Sequence, residues 1–159
     1  MNKIYAIAFA LTASAITAPA WAADDAPFLT DAIKGDNTEV AMGKLAQRRG
    51  ASPAVRAYGA MLVRDHGAHR QKIAMLDRKL GVVPTNDISD DGAHAKMMLQ
   101  DLHGAQFDAA FKQHMIEDHR QDIAKYEDAA RSAHAPRVRA LAQDTLPTLH
   151  KHLDRAQAL

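Results

Sequence analysis

Apolar residues recur at helical spacing through most of the chain, and no segment keeps the strict alternation of a half-buried strand. The pattern divides into four long stretches and one short one. The first is predicted to open near Pro27, a residue whose fixed φ suits a helix start, and to close near Gly50. The second follows Ser52 and Pro53 and stops at Leu80-Gly81, glycine being the usual left-handed stop. From Val82 to Asp91 the chain is rich in Pro, Asn, Asp and Ser. A minor helix around Met97 to Leu102 is then predicted to cross the end of the long ones. A third long helix is predicted from about Ala105 to His134, and a fourth from Pro136 to the C-terminus with a kink or local break at Pro147. The expected fold is all-α: an up-and-down four-helix bundle, ferritin-like, with a short extra helix in the connection between helices 2 and 3. A helical repeat array would need a period of roughly 30 to 40 residues, which the sequence lacks.

The N-terminus has a different pattern. Lys3, an apolar run from Ile4 to Ile16 and the small-residue stop Ala20-Trp21-Ala22 have the form of a secretory signal. The run is short of the roughly 20 apolar residues that span a bilayer, so cleavage is expected rather than a retained anchor. Residues 1–22 are therefore read as a signal peptide and 23–159 as one exported domain, destined for the periplasm. No later segment is apolar enough to cross a membrane.

Export changes the charge balance. The chain has 20 basic and 19 acidic residues, and Lys3 leaves with the signal, so the mature domain is neutral. Nothing in that balance calls for nucleic acid or an anionic membrane as partner. There is no cysteine, which excludes disulfides, thiolate metal sites and cysteine nucleophiles. Aromatic residues make up only 5% of the chain, so the core must rest on aliphatic and methionine packing. Met61, Met75, Met97, Met98 and Met115 are read as gap-filling core rather than copper ligands.

The informative residues are the polar ones that share a heptad stripe with apolar ones, because buried polar groups need partners. On the second helix Val55, Gly59, Leu62, His66, His69, Ile73, Leu76 and Leu80 form such a stripe, with two histidines at its middle. Phe28, Ala32, Gly35, Glu39, Met42 and Ala46 place Glu39 inward on the first helix. Asp108, Phe111, Met115, His119, Asp122 and Tyr126 bring in His119 and Asp122. Val138, Ala142, Thr145, Leu149, His152 and Ala156 bring in His152. Imidazoles and carboxylates converging from facing helices are how bundles build metal sites. Asp65 and Asp118, each just before a stripe histidine, are ligands, orienting partners or solvated groups. His94, His103, His114, His134 and His150 fall off the stripes.

Several chemistries lack their residues. The chain has three glutamates, Glu39, Glu117 and Glu127, and none stands three residues before a histidine. A di-iron carboxylate site of the Glu-x-x-His kind cannot be assembled from them. No G-x-S-x-G, H-E-x-x-H or phosphate-cradling glycine loop is present either. Binding is therefore expected rather than turnover.

A resemblance runs along nearly all of the mature chain. It is carried by Phe28-Leu29, Glu39-Val40 with Gly43 to Ala46, and Met61 to His66, then by Gly104 to Asp108 leading to His119, and finally by Thr145 to Leu149 with His152-Leu153. In these segments the chain resembles the DUF4142 family of exported bacterial proteins of uncharacterised function. The resemblance implies a bundle, an extracytoplasmic location and a polar set at Glu39, Asp65, His66, His119 and His152. His69 lies outside that set.

The expected function is non-catalytic binding of a divalent transition metal (zinc, iron, copper or manganese) by Glu39, His66, His119 and His152, with Asp65 and Asp122 as further or orienting ligands. The rival expectation is a metal-free envelope stress or interaction module whose buried Glu and His groups pair with one another and sense pH.

Overall fold

The computed structural model describes residues 20–80 and 83–159, and these are all-helical apart from their connections. Most of the expected signal segment, residues 1–19, lies outside the described residues. Five helices follow in order: α1 (Ala20–Arg49), α2 (Pro53–Leu80), α3 (Asp90–Gln100), α4 (Gly104–Ser132) and α5 (Pro136–Gln157). None is long and apolar enough to cross a membrane among the described residues.

Three expectations about the elements change. The minor helix expected around Met97 to Leu102 runs instead from Asp90 to Gln100, because Ser89 caps it at Gly92 N–H. The helix that was to open at Pro27 is already formed at Ala20, and Pro27 lies inside α1. The ring removes one intrahelical hydrogen bond, while Leu29 is fully buried and Phe28 sets its ring edge-on to Tyr126 at 5.2 Å, holding that turn on the core. At Pro147, α5 continues without the expected break. Pro147 and Gln143, whose carbonyl loses its partner, are both exposed, so water can satisfy what the ring cannot.

The direction of the long helices also departs from expectation. α1 and α2 are antiparallel and packed most closely, as are α4 and α5. Asp25 near the start of α1 accepts the backbone N–H groups of His134 and Ala135 at the α4–α5 junction, at 2.8 and 2.7 Å. At the other end Arg49 donates to His103 at 2.9 Å, and Asp108 of α4 accepts the N–H groups of Ala51 and Ser52. α4 thus starts where α1 ends and runs antiparallel to it. α2 and α4 therefore run the same way, and the chain goes up, down, down, up rather than alternating. The long connection makes this possible by climbing back along α1. Asn37 donates to the carbonyls of Thr85 and Asp87, Ser89 caps α3 through Gly92 N–H at 3.0 Å, and Ser89 also meets Thr38. α3 lies along the side of α1 and not across the end.

Glycine explains the tight first pair. A Cβ on Gly43 would stand 2.5 Å from the Gly59 carbonyl oxygen, and one on Gly59 would stand 2.6 Å from that of Gly43. Only two glycines allow α1 and α2 to cross at this distance.

The core is divided. One apolar cluster holds Leu29, Ile33, Ile73, Ile123, Val138 and Leu149. The other holds Met42, Leu62, Phe107, Phe111 and Met115. Met115 is core as expected, whereas Met75, Met97 and Met98 are more than half exposed, because their positions face away from both clusters. Between the clusters every long helix contributes polar side chains to one buried layer.

Gly43→Ala should destabilise the protein by about 1–3 kcal/mol, the usual cost of overpacking. Gly67→Ala, which meets nothing within 4 Å, should be neutral or stabilising by up to about 1 kcal/mol. Thermal melts of the two variants check this, and equal losses would contradict the close-crossing account.

Candidate metal centre

The polar layer consists of Asp36 and Glu39 from α1, His66 and His69 from α2, His119 from α4, and Thr145 and His152 from α5. Glu39, His66, His119 and His152 are no more than 5% exposed. Each follows or precedes a buried apolar residue at heptad spacing, so the packing of Met42, Leu62, Met115 and Leu149 carries the polar groups inward.

The outer partners decide which ring nitrogens are free. His66 Nδ1 lies 2.9 Å from Asp36 Oδ1, a carboxylate oxygen that accepts, so Nδ1–H donates and Nε2 is bare. His119 Nδ1 donates to the Met115 carbonyl at 3.0 Å, leaving Nε2 bare. His152 Nε2 donates to Asp65 Oδ2 at 3.1 Å, leaving Nδ1 bare. The tautomers follow from these acceptors. One ring nitrogen from each of the three histidines lies within 4.8 Å of the other two. Nitrogens about 2.1 Å from a shared ion stand at most about 4.2 Å apart, so small side-chain rotations bring all three to ligand distance.

Two further facts bear on what the cluster can hold. His119 Nε2 and His152 Nδ1 face each other at 3.4 Å, and in these tautomers both carry lone pairs. No donor of the layer reaches either oxygen of Glu39, and His66 Nε2, 4.0 Å from Glu39 Oε2, has no partner; Asp118 is the neighbour close enough for a protonated Glu39 to share its proton. Buried polar atoms without partners each cost roughly 1–3 kcal/mol.

Electrostatics agree with the geometry. Burial foremost, and then His66, push His119 down to about 3. His152 falls to about 4 for the same reasons, against the pull of Asp65. Burial and then Asp118 raise Glu39 well above the carboxylate range. Asp122 rises to about 6 through burial and Asp118, opposed by Lys125 at 3.5 Å. Without a cation these groups favour their neutral forms.

The structure separates the sequence candidates by position. Glu39, His66, His119 and His152 come together. Asp65 sits at the margin, where partial burial is outweighed by hydrogen bonds from Arg64 and His152 that hold its carboxyl below the usual range. Its contact with His152 makes it an orienting group. Asp122 stands beside Asp118 outside the histidine triad, and Asp118 lies within 4.8 Å of Glu39 and His119 ligand atoms. Asp36, 3% exposed, had no place in the sequence reading. It joins His66 to His69, whose Nδ1 is 2.8 Å from Asp36 Oδ2 and whose Nε2 is 2.9 Å from Thr145 Oγ1. The only sequence signal for it is its place directly after Gly35 on the apolar stripe. His94, His103, His134 and His150 are exposed, as their off-stripe positions predicted, whereas His114, also off the stripes, is half-buried with Nε2 out of reach of any partner.

A cleft of about 1100 Å³ opens onto the layer at Asp36, Asp65, His66, Asp118, Asp122 and His152. Eleven aspartates and four lysines line it, so its field favours cations.

The molecule is thus an all-helical protein with a buried His and carboxylate cluster able to hold a metal ion. The chain belongs to the DUF4142 family, a domain of unknown function, which residues 10–159 match. It is similar in fold to the crystal structure of a DUF305 fragment from Deinococcus radiodurans, with a TM-score of 0.74 at 15% identity over 89% of this chain and 95% of that one. No curated protein matches the sequence.

In metal-free protein the imidazoles and Asp122 should act on stability with opposite sign. Between about pH 6.5 and 4 the unfolded histidines bind protons that His119 and His152 refuse, so their contribution is present above about 6.5 and is lost as pH falls. Asp122 holds its proton to about 6, so its contribution is present at acid pH and is lost as pH rises through that value. His152→Gln should flatten the acid loss. Asp122→Asn should gain on wild type as pH rises from about 4 to 7. Urea unfolding across that range checks both, and a pH-independent offset for Asp122→Asn would contradict the account.

Proposed function

We propose that this protein is an exported, periplasmic four-helix bundle of ferritin-like arrangement that binds a divalent transition metal without catalysing a reaction. The signal at 1–22 supports export, and the single crossover between α2 and α4 supports the ferritin-like arrangement. The first ligands are His66, His119 and His152, with Glu39 completing the set. Three neutral imidazoles and a carboxylate suit zinc, iron, copper or manganese. Asp36, Asp65 and the Met115 carbonyl hold the rings, the role that orienting partners take around metal-bound histidines.

One observation carries this reading: Glu39 Oε1 and Oε2 and His66 Nε2 are buried without hydrogen-bond partners, Glu39 Oε2 stands 4.0 Å from His66 Nε2, and ring nitrogens of His66, His119 and His152 lie within 4.8 Å of one another. A structural layer would pair such atoms with each other. A cation satisfies them together.

A second reading keeps the layer metal-free, as the core of an envelope stress or interaction module. It is favoured by the upward shift of Glu39 and the downward shifts of His119 and His152, which leave a neutral core.

Elemental analysis and thermal melts of the mature protein separate the two. The metal reading expects stoichiometric metal and a melt raised by an added divalent ion, by an amount equivalent to about 4 kcal/mol at a thousandfold excess over Kd. His66→Ala should lose both. If no divalent ion raises the melt of wild type more than that of His66→Ala, the metal-free reading stands.

A further inference from the structure

Glu39 has two oxygens without hydrogen-bond partners, and Oε2 stands 4.0 Å from His66 Nε2. On α4 one oxygen of Asp118 lies within 4.8 Å of ligand atoms of both Glu39 and His119. Asp118 and Asp122 are one helical turn apart on the same face of α4, and both line the cleft. Gly35 of α1 packs opposite Asp122, where a Cβ would stand in ordinary contact with Oδ2 at 4.0 Å.

We propose that the layer has a second cation position beside the histidine triad, formed by Glu39 and Asp118 with Asp122 at its edge, so that Glu39 bridges two ions. This rests on the metal reading of the triad and extends it from one ion to two.

Three observations carry it. Glu39 is 1% exposed, neither of its oxygens accepts a hydrogen bond from a donor of the layer, and an Asp118 oxygen stands close enough to share a cation or a proton with it. A bridging carboxylate uses both oxygens. Charge gives the second argument: the three histidines are neutral ligands, while Asp36, Glu39, Asp118 and Asp122 are four carboxylates around one layer. Their close lysine partner is Lys125, 3.5 Å from Asp122 and itself largely exposed. Four carboxylates match two divalent cations and exceed the charge of one. Access is the third, since the acidic cleft reaches Asp118 and Asp122 directly.

The two positions differ in chemistry. Three imidazoles suit zinc, copper or iron, whereas a position dominated by carboxylate oxygens suits a harder ion such as manganese. Mature protein loaded with one equivalent of zinc should therefore bind one further equivalent of manganese(II). In NMR spectra the manganese should broaden signals of Asp118, Asp122 and His119 well before those of Leu29 and Phe107 in the two apolar cores. Asp118→Asn, a change of similar shape at a partly buried site, should keep the zinc and weaken manganese binding at least tenfold.

If wild type takes one zinc and no manganese, the second position is wrong while the histidine reading stands. Unchanged manganese affinity in Asp118→Asn, or broadening centred elsewhere, also overturns it. Failure to bind zinc at all removes both. The wild-type broadening pattern decides the matter even if Asp118→Asn does not fold.

Discussion

The 2.9 Å contact between Asp36 and His66 ties the buried layer to its first helix pair. By accepting the hydrogen bond from Nδ1–H, Asp36 turns the other edge of the ring toward α4 and α5, where His119 and His152 present their own free nitrogens. The same carboxylate holds His69, which reaches Thr145 on α5. One buried aspartate thus links α1 and α2 and, through His69, α5.

That constraint explains the architecture as well as the site. Gly43 and Gly59 draw α1 and α2 together, and the α4 and α5 pair closes against them with the polar layer between. Cleft and layer occupy the space between the two pairs. Asp25 and Asp108 fasten the pairs at opposite ends through backbone N–H groups, so the spacing at mid-height is held from both sides. Four helices fixed in this way hold the side chains of the layer close to one another.

Much of this was legible in the sequence. The four long helices end where glycine and proline predict, within a few residues, except at the start of α1. The heptad stripes carried Glu39, His66, His119 and His152 to the interior, because an apolar residue one turn away on the same stripe leaves its neighbour nowhere else to go. Topology was not legible, since the length of the Val82 to Gly104 segment says that a crossover is possible and not that α3 climbs along α1. Asp36 was missed because it lies one position off the stripe. Only its contacts with two histidines on another helix give it meaning. The same limit kept Asp65 and Asp118 apart from a role until the structure put one against His152 and the other near Glu39.

The central claim is that three particular nitrogens, His66 Nε2, His119 Nε2 and His152 Nδ1, converge on one cation. Nitrogen-15 NMR of the imidazoles during a zinc titration of the protein tests it most directly. Large, saturable shifts at those three nitrogens, with His66 Nδ1, His119 Nδ1 and His152 Nε2 keeping their protons, are the predicted result. Tautomers opposite to these, or rings indifferent to zinc, would contradict the account.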